Sequence, residues 1–385
     1  MKITNLRTMI INIPLSKPIK WSFGIREGTS AVIVFIETDE GITGIGETKA
    51  PYSSKVLQTA INEMKPILIN EDPFDIERIK KKLLATGLLW CPDYAVFVIS
   101  GIEIALWDII GKCLKKPIYE LIGGKYREKV SFAAYIFIDE PKKVAEEALK
   151  YVEQGFSTIK LKVGINPEKD IEIVKEVRNV VGNDIKIRID ANQAWSPGTA
   201  IKVIKKMEKY DLEYVEQPVH KDDIDGMKRI RMSVSTPIAV NEGVYTIQDA
   251  LNFIKKEAAD IIVTDIHNPG GISECKKLCA IAEAADIPVV MHSGAELGIG
   301  LATMLHIIAS TSNFIYANDT HYPLLSDDII KEKFSFKKGS LELTTNPGLG
   351  VTIDEKKLEL YTKGEIYSPF MDKSNAKWMP TSLRF

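Results

Sequence analysis

Polar and apolar residues alternate through most of the first 50 residues, as they do in β-strands that bury one face. The alternation covers KITNLRTMIINIPL and AVIVFIETDEGITGIGET, with TDEG as a turn-forming sequence. From about residue 53 to residue 116 the apolar residues instead recur every three or four positions, which is the helical period. We therefore predict an α+β domain over residues 1–125 that begins with an antiparallel sheet.

After about residue 130 the chain changes to a regular alternation of short apolar strands and amphipathic helices. The predicted strands are SFAAYIF, STIKLKV, IKIRID, LEYVE, PIAVNE, DIIVTD, IPVVMH and NFIYAN. Such alternation is typical of parallel strands joined by crossover helices, and about eight units favour a closed barrel over an open sheet. The predicted fold class is therefore α/β, with a barrel of the TIM type at its centre.

The last part of the chain does not continue this repeat. From residue 325 onward it contains short strands and the turn NPGLG, which indicates a return to the N-terminal domain. We predict an N-terminal α+β capping domain over residues 1–125 and a catalytic barrel over residues 126–322. A C-terminal segment, residues 323–385, is predicted to complete the cap.

Composition narrows the class of partner. The chain is 45% hydrophobic and 26% charged, and its 50 basic and 52 acidic residues give a net charge of -2. This balance gives no indication of nucleic acid or an anionic membrane as partner, so a small-molecule ligand fits better. Four cysteines, with Cys275 and Cys279 on one helix, do not form a disulfide framework. With no secretory pattern at the start and no long apolar run, we expect a cytoplasmic protein that does not span a membrane.

Ionisable residues recur at the ends of the predicted barrel strands, where a strand covered on both faces should carry none without a function or a partner. Successive strand ends are separated by 28, 26, 26, 23 and 27 residues, at Lys162, Asp190, Glu216, Glu242, Asp265 and His292. The carboxyl ends of barrel strands are where active sites of this architecture form. The period therefore places these six side chains around one cavity.

Three of these strand ends carry carboxylates in succession. Asp190, Glu216 and Glu242 would repel one another unless neutralised, and hard oxygen ligands suit Mg²⁺. Because neighbours on a strand face opposite ways, the amide oxygen of Asn241 is an alternative to Glu242. A single such carboxylate could equally cap the next helix, but three in register favour a metal site.

Two lysines alternate on the strand before Asp190, in FSTIKLKVG, so both point into the same space. On an exposed strand Lys160 and Lys162 would form a solvated edge, but apolar neighbours indicate a buried barrel strand. Burial and nearby charges shift the pKa of lysine readily. One of the two can therefore act as a base while the other, still charged, holds a carboxylate.

Asp265 and His292 end two neighbouring strands, so their side chains should meet. A carboxylate bonded to one ring nitrogen fixes the tautomer of histidine and raises the basicity of the other nitrogen, which produces a general acid or base. The alternative is a structural histidine. His220 and His267, in loops beyond strand ends, could line the mouth of the cavity, whereas His306 fits a helix core.

These motifs together resemble the enolase superfamily, in the branch of mandelate racemase and muconate-lactonising enzymes. The resemblance covers nearly the whole chain and rests on GIEIALWDIIGKCLKKPIYELIGG, KLKVG, DANQAW, VEQP, DIHNPGGI and NPGLG. It implies a (β/α)7β barrel capped by both termini, one Mg²⁺ per subunit and an even-numbered homo-oligomer, a dimer or octamer. It also implies removal of the proton α to a carboxylate through an enediolate.

The same resemblance implies a role for each strand-end residue. Lys162 is the implied base and Lys160 the partner of the substrate carboxylate, while the metal ligands are the three carboxylates named above. Asp265 followed by His292 is the arrangement of mandelate racemase and of many acid-sugar dehydratases. Relatives that lactonise muconate or epimerise dipeptides carry a lysine in place of Asp265.

Two departures from the mandelate racemase pattern affect the expected reaction. Asn241 replaces a glycine before the third ligand, and the glutamate of strand eight is replaced near IYAND, where Tyr316, Asn318 or Asp319 could substitute for it. We expect dehydration of a hydroxy acid or acid sugar to a 2-keto acid. Racemisation, epimerisation and cycloisomerisation are the alternatives on this scaffold.

Two other functional classes fit parts of the pattern. A Schiff-base aldolase would need a lysine but not the three carboxylates, and a non-catalytic relative would only bind a carboxylate. The segment SKPIKWSFGIREGTS is expected to overhang the site. Its mixture of Lys17, Lys20 and Arg26 with Trp21 and Phe23 also admits a substrate less polar than a sugar acid.

Overall fold

The computed structural model describes residues 1–49 and 53–367. It opens with an antiparallel sheet of three strands, β1 (Ile3–Trp21), β2 (Gly24–Thr38) and β3 (Thr43–Thr48). Helices then follow in the order α1 (Ser54–Glu63), α2 (Lys65–Leu68), α3 (Ile76–Ala85), α4 (Pro92–Leu114) and α5 (Ile118–Leu121). The α+β character predicted for this part of the chain is therefore present.

Helix α4 lies directly on strand β3. A Cβ atom on Gly44 would lie 2.1 Å from the carbonyl oxygen of Ala105, and one on Gly46 would lie 2.1 Å from that of Gly101. Only glycine permits so close an approach of two backbones. By length and composition α4 could cross a membrane, but 89% of its most apolar window is buried inside the protein. A buried core helix explains its apolar character.

A parallel seven-stranded sheet forms the centre of the molecule. In spatial order, which is also chain order, its strands are β5 (Ala134–Ile136), β6 (Thr158–Lys162), β7 (Lys186–Asp190), β8 (Leu212–Glu216), β9 (Ile238–Val240), β10 (Ile261–Thr264) and β11 (Val289–Met291). The helices between and after them are α6 (Pro141–Glu153), α7 (Pro167–Val181), α8 (Pro197–Met207), α9 (Ile224–Arg231), α10 (Ile247–Lys256), α11 (Ile272–Ala284) and α12 (Gly298–Ala309). The strands are almost wholly buried because helices cover one face and the barrel interior the other.

The predicted eighth strand, NFIYAN, is wrong as a regular strand, because it reduces to a single bridge between Asn318 and Phe132. Even so, its backbone joins the two edges of the sheet. The amide of Asn318 donates to the carbonyl of Ser131 at 2.8 Å, and the amide of Asp319 donates to that of Met291 at 2.9 Å. This segment closes the barrel in the (β/α)7β arrangement.

The first predicted strand, SFAAYIF, is also divided in the structure. Its first residue, Ser131, ends β4 (Lys129–Ser131), which pairs antiparallel with β12 (Ser340–Glu342), and only Ala134–Ile136 enters the barrel as β5. Further on, α13 (Glu355–Thr362) lies against β1, where the amide of Asn12 donates to the carbonyl of Gly364 at 3.2 Å. Residues 325–367 thus return to the N-terminal sheet, and the rest of the predicted segment lies outside the described residues. The domain boundaries at 125 and 322 stay predictions.

Candidate active site

A cavity of about 380 Å³ opens at the carboxyl ends of the barrel strands. The β1–β2 hairpin covers it and contributes Trp21 and Phe23, as predicted for the overhanging segment, together with Arg26. Lys17 and Lys20 of the same segment are exposed and lie outside the cavity wall. Aromatic side chains make up much of this wall, namely Trp21, Phe23, Phe97, Tyr135, Phe137 and Tyr245.

Strand register brings the predicted carboxylates together. Lys162 pairs with Asp190 across β6 and β7, and Asp190 pairs with Glu216 across β7 and β8. Both carboxylates are fully buried. Burial and the neighbouring Asp190 raise the pKa of Glu216 to about 8, although Lys160 opposes the shift. Burial alone would raise the pKa of Asp190 as well, but the charges of Lys162 and Lys160 outweigh it and lower that pKa.

Lys162 reaches the cavity and is held by two acceptors. Its Nζ atom lies 2.6 Å from Oδ2 of Asp190 and 2.6 Å from Oδ1 of Asn192, and its side chain is 4% exposed. Asn192 has a left-handed backbone, with φ of 42°, and Gln193 follows at 67°. Two successive residues in this region are costly for side chains with a Cβ, and such strain is typical of functional sites. The turn after β7 therefore aims the amide of Asn192 at Lys162.

Lys160 lies deeper than Lys162 and outside the cavity wall. Its Nζ atom donates to both oxygens of Glu216, at 2.8 and 2.7 Å, and to Oδ2 of Asp319 at 2.6 Å, while Asp190 lies at 3.3 Å. Burial would lower the pKa of Lys160, but these carboxylates raise it well above its ordinary value. Lys160 is therefore a buried cation that gathers the strand-end carboxylates, and contact with a substrate carboxylate stays a prediction.

Asp265 and His292 meet as the strand order predicted. Nδ1 of His292 lies 3.1 Å from Oδ2 of Asp265, and the other carboxylate oxygen accepts the backbone amide of His267 at 2.6 Å. Burial alone would raise the pKa of Asp265, but His292 and His267 lower it to about 2. Burial would lower the pKa of His292, but the bond to Asp265 outweighs it and raises that pKa. The bond to Asp265 therefore favours the protonated form of the His292 ring.

Known proteins resemble this chain along its whole length. Residues 3–123 match the family model of the mandelate racemase / muconate lactonizing enzyme N-terminal domain, and residues 143–357 match that described as enolase C-terminal domain-like. The chain belongs to this branch of the enolase superfamily. It is an enzyme, of the lyase or isomerase type that relatives represent.

Several relatives of different activity show similar identity. The N-succinyl-L-Arg/Lys racemase of Bacillus cereus is 32% identical over 370 residues, covering 94% of this chain and 98% of the relative. The arabinonate dehydratase of Saccharolobus solfataricus is 36% identical over 332 residues, or 85% and 89% of the two chains. Among solved structures, the dipeptide epimerase of Enterococcus faecalis complexed with Mg and L-Leu-L-Tyr superposes with a TM-score of 0.86 at 33% identity, covering 91% of this chain and all of that one.

Enolase-superfamily members bind Mg²⁺, an ion that prefers oxygen ligands. Within residues 1–49 and 53–367, no three His, Cys, Asp or Glu side chains converge closely enough to form a metal site as they stand. The chemistry of Asp190, Glu216 and Glu242 nevertheless suits Mg²⁺, because all three supply carboxylate oxygens. Oε2 of Glu242 is buried without a hydrogen-bond partner among the described residues, and burial and the charge of Asp190 raise the pKa of Glu242. A cation among these three carboxylates would satisfy the orphaned oxygen and relieve their repulsion.

Asn241 and Glu242 were alternatives for the third ligand. The side-chain amide of Asn241 donates to the carbonyl of Val263 at 3.0 Å, so this residue also links β9 to β10. Oε1 of Glu242 accepts from the amide of Asn192 at 3.0 Å, which leaves its other oxygen without a partner. Glu242 is therefore the better candidate.

The residues considered as replacements for the strand-eight glutamate do not reach the cavity. Asp319 is fully buried between Lys160 and Arg188. The side-chain oxygen of Asn318 accepts the backbone amide of Met291 and so takes part in closing the barrel. Tyr316 packs against Tyr214 instead. His321 is the residue of this segment that lines the cavity, and its Nδ1 atom lies 2.8 Å from the hydroxyl of Ser293.

Sequence reasoning missed Lys49, which follows β3 and lines the cavity with His220, His267 and Arg26. Lys49 lies two residues after the buried Glu47, just beyond a strand that is buried from Gly44 to Thr48. The same pattern of alternating charges on a buried strand had singled out Lys160 and Lys162. The spacing marks two charges at a buried strand end, but it does not report that Lys49 lines the cavity.

Proposed function

We propose that this enzyme removes the proton α to the carboxylate of an acid with hydroxyls on both its α- and β-carbons, such as an acid sugar. Loss of the β-hydroxyl as water then leaves an enol that tautomerises to a 2-keto acid. The observation that carries the proposal is the placement of two proton-transfer groups on different walls of one cavity. Lys162 ends β6 and His292 follows β11. Four strands separate β6 from β11 in one direction, and β5 with the closing segment separates them in the other. A substrate carbon between them would face a base on one side and an acid on the other.

In this proposal Lys162 is the base. It accepts the proton as the neutral amine. Its Nζ atom is held in place by Asp190 and Asn192, each at 2.6 Å, and lies 5.7 Å from the ring centre of Trp21 and 5.2 Å from that of Tyr135. A base must lie within hydrogen-bond reach of the proton that it abstracts. The covering hairpin and the aromatic wall would exclude water from this side, which strengthens electrostatic interactions in the site.

His292 then acts as the general acid that protonates the departing β-hydroxyl. The bond to Asp265 favours the protonated ring at neutral pH, as a proton donor requires. The backbone amide of His267 holds the second oxygen of Asp265 and so fixes the carboxylate. The charge of the His292 ring, its fixed orientation and its position on the cavity wall therefore all support donation of a proton to a bound substrate.

The negative charge that develops on the substrate carboxylate needs a cationic partner. When Mg²⁺ is bound, it would supply Lewis-acid stabilisation of that charge, held by Asp190, Glu216 and Glu242. Lys160 holds the carboxylates of Glu216 and Asp319 in place from below. Lys160 is therefore proposed both to position these carboxylates and to supply positive charge for the substrate carboxylate.

The aromatic wall favours racemisation or epimerisation as the second candidate. A polyol acid needs many hydrogen-bonding partners, whereas Trp21, Phe23 and Phe137 offer apolar surface. If His292 returned a proton to carbon instead of oxygen, the same two groups would invert the α-carbon. The racemase and epimerase relatives carry out reactions of that kind according to their names.

A substrate screen separates the two candidates. The enzyme with Mg²⁺ is incubated with acid sugars, hydroxy acids and N-substituted amino acids, and 2-keto acid release and optical rotation are both measured. Release of a 2-keto acid is the expected outcome, and a change of rotation without it selects racemisation. If borohydride with substrate instead reduces a covalent adduct onto Lys162, the chain uses a Schiff base and the proposal fails.

A further inference from the structure

Two cations on the cavity wall lack an anionic partner. Nη2 of Arg26 donates to Thr29 Oγ1 and to the carbonyl of Gly294, both at 3.0 Å. Nζ of Lys49 donates to the hydroxyl of Thr29 and, at 2.6 Å, to the carbonyls of Gly294 and Ala295. All these acceptors are neutral, and within the described part of the chain no ion pair is formed by either residue. Both side chains are partly buried, and a cation partly withdrawn from water is stabilised by an anion.

The nearest carboxylates are engaged with other groups. Glu47 accepts the backbone amides of Leu297 and Gly300, each at 2.7 Å, at the start of α12. Glu296 accepts the backbone amide of Gly294 and, at 2.7 Å, the hydroxyl of Ser293. These bonds fix both carboxylates in the protein, so neither pairs directly with the cations.

A third side chain on this wall also lacks a partner. His267 is 3% exposed and lines the cavity, and neither of its ring nitrogens has a hydrogen-bond partner among the described residues. Buried polar atoms are nearly always hydrogen-bonded, so two orphaned nitrogens indicate a missing ligand. This observation is independent of the two cations.

We propose that Arg26, Lys49 and His267 bind a second carboxylate of the substrate, so that the substrate is a dicarboxylic acid. The inference rests on the proposed function, in which the first carboxylate occupies the strand-end site near Lys162. The second would lie on the His292 side of the cavity, because Gly294 and Ala295 immediately follow that residue. A carboxylate there would pair with both basic side chains and accept a hydrogen bond from the ring N–H of His267.

The titration of Lys49 supports this assignment. Burial and the adjacent charge of Arg26 lower the pKa of Lys49 to about 7, although the carboxylates of Glu296, Glu47 and Asp265 oppose the shift. Burial lowers the pKa of Arg26 to about 10, with Glu296 opposing. A bound carboxylate would raise both pKa values, because an opposite charge favours the protonated form. Binding of a dicarboxylate near pH 8 should therefore take up protons, which calorimetry in buffers of different ionisation enthalpy measures directly.

The test compares ligands that differ only at the distal end. Malate, 2-hydroxyglutarate and 2-hydroxyadipate are each matched with the monocarboxylate of equal carbon count, namely 2-hydroxybutyrate, 2-hydroxyvalerate and 2-hydroxycaproate. Bound through the carboxylate next to the hydroxyl, none has a β-hydroxyl, so none can lose water in the proposed reaction. Titration calorimetry with Mg²⁺ present should show at least one dicarboxylate binding more than 10-fold more tightly than its match. Equal or weaker binding of the dicarboxylate at every length overturns the proposal.

Substitutions at the three proposed residues test whether they produce the preference for the dicarboxylate. Lys49→Met, Arg26→Met and His267→Phe should each reduce that preference at least fivefold and leave the monocarboxylate Kd within twofold. Lys20→Met, which removes an exposed lysine from the same hairpin, should leave the preference unchanged. A preference retained in all three cavity variants overturns the proposal, and circular dichroism confirms folding of each.

The proposed function is tested separately in the same samples. Exchange of the α-proton of each acid with D2O reports proton abstraction, whichever distal group binds. Exchange without dicarboxylate preference refutes the second carboxylate site alone. Preference without any exchange refutes the proposed function instead.

Discussion

Replacing His292 with asparagine should separate the two halves of the proposed reaction. General acid catalysis contributes about 10²- to 10⁴-fold, or about 3–5 kcal/mol of barrier at 1.36 kcal/mol per factor of ten. Lys162 keeps both of its contacts in this variant, since neither involves the imidazole. Product formation should therefore fall by that factor, while α-proton abstraction by Lys162 continues.

The structure also limits the damage to folding. The His292 side chain is 19% exposed, and Asp265 keeps its bond from the backbone amide of His267 at 2.6 Å when the ring is lost. The remaining cost, one hydrogen bond to a charged group, is about 2 kcal/mol. A folded variant is therefore expected.

Proton NMR in D2O follows both events in one tube, as loss of the α-proton signal and appearance of product. We expect exchange within tenfold of the unmodified enzyme and product formation at least 100-fold slower. Parallel loss of exchange would mean that His292, not Lys162, removes the proton. Product formation at the normal rate would refute any role for His292 in proton transfer.

Three further predictions follow from the same contacts. Asp265→Asn removes the interaction that raises the pKa of His292, so the ring loses its proton at lower pH. The alkaline limb of the kcat/KM profile should therefore move to lower pH. A limb that does not move would contradict the pairing of Asp265 with His292. Asp319→Asn breaks a buried pair with Lys160 at 2.6 Å and should lower the free energy of unfolding in urea by about 3 kcal/mol. The control Glu213→Gln breaks only a 3.7 Å contact with Arg188, which is too long for a hydrogen bond, at a carboxyl whose pKa burial raises. It should lower the free energy of unfolding by less than about 1 kcal/mol, and an effect equal to that of Asp319→Asn would contradict this reasoning. EDTA should abolish activity and lower the melting temperature, with Mg²⁺ restoring both because a ligand of the folded state stabilises it; full activity in EDTA would exclude the proposed ion.

Strand-end spacing was the most informative feature of the sequence. It placed Lys162, Asp190 and Glu216 on adjacent strands, and the structure pairs these residues in direct register. The period works because each βα unit returns the chain to the same end of the barrel. It also brought Asp265 and His292 within 3.1 Å of each other.

Features that depend on a few tertiary bonds could not be read from the pattern. The eighth strand has apolar residues typical of a strand but makes only isolated backbone bonds, so its regular form was predicted wrongly. The cavity position of Lys49 depends on carbonyls of Gly294 and Ala295, about 245 residues away in the chain. No local period reports such a contact. Oligomeric state and cytoplasmic location stay predictions, because the packing within a single chain determines neither of them.

Exchange of the substrate α-proton with solvent tests the central claim most directly. The enzyme with Mg²⁺ is incubated in D2O with the acid that the substrate screen identifies, and Lys162→Ala is compared with the unmodified chain. The account predicts rapid deuterium incorporation at the α-carbon by the unmodified enzyme and a loss of at least about 100-fold in the variant. Incorporation at an unchanged rate by Lys162→Ala would contradict the assignment of Lys162 as the base.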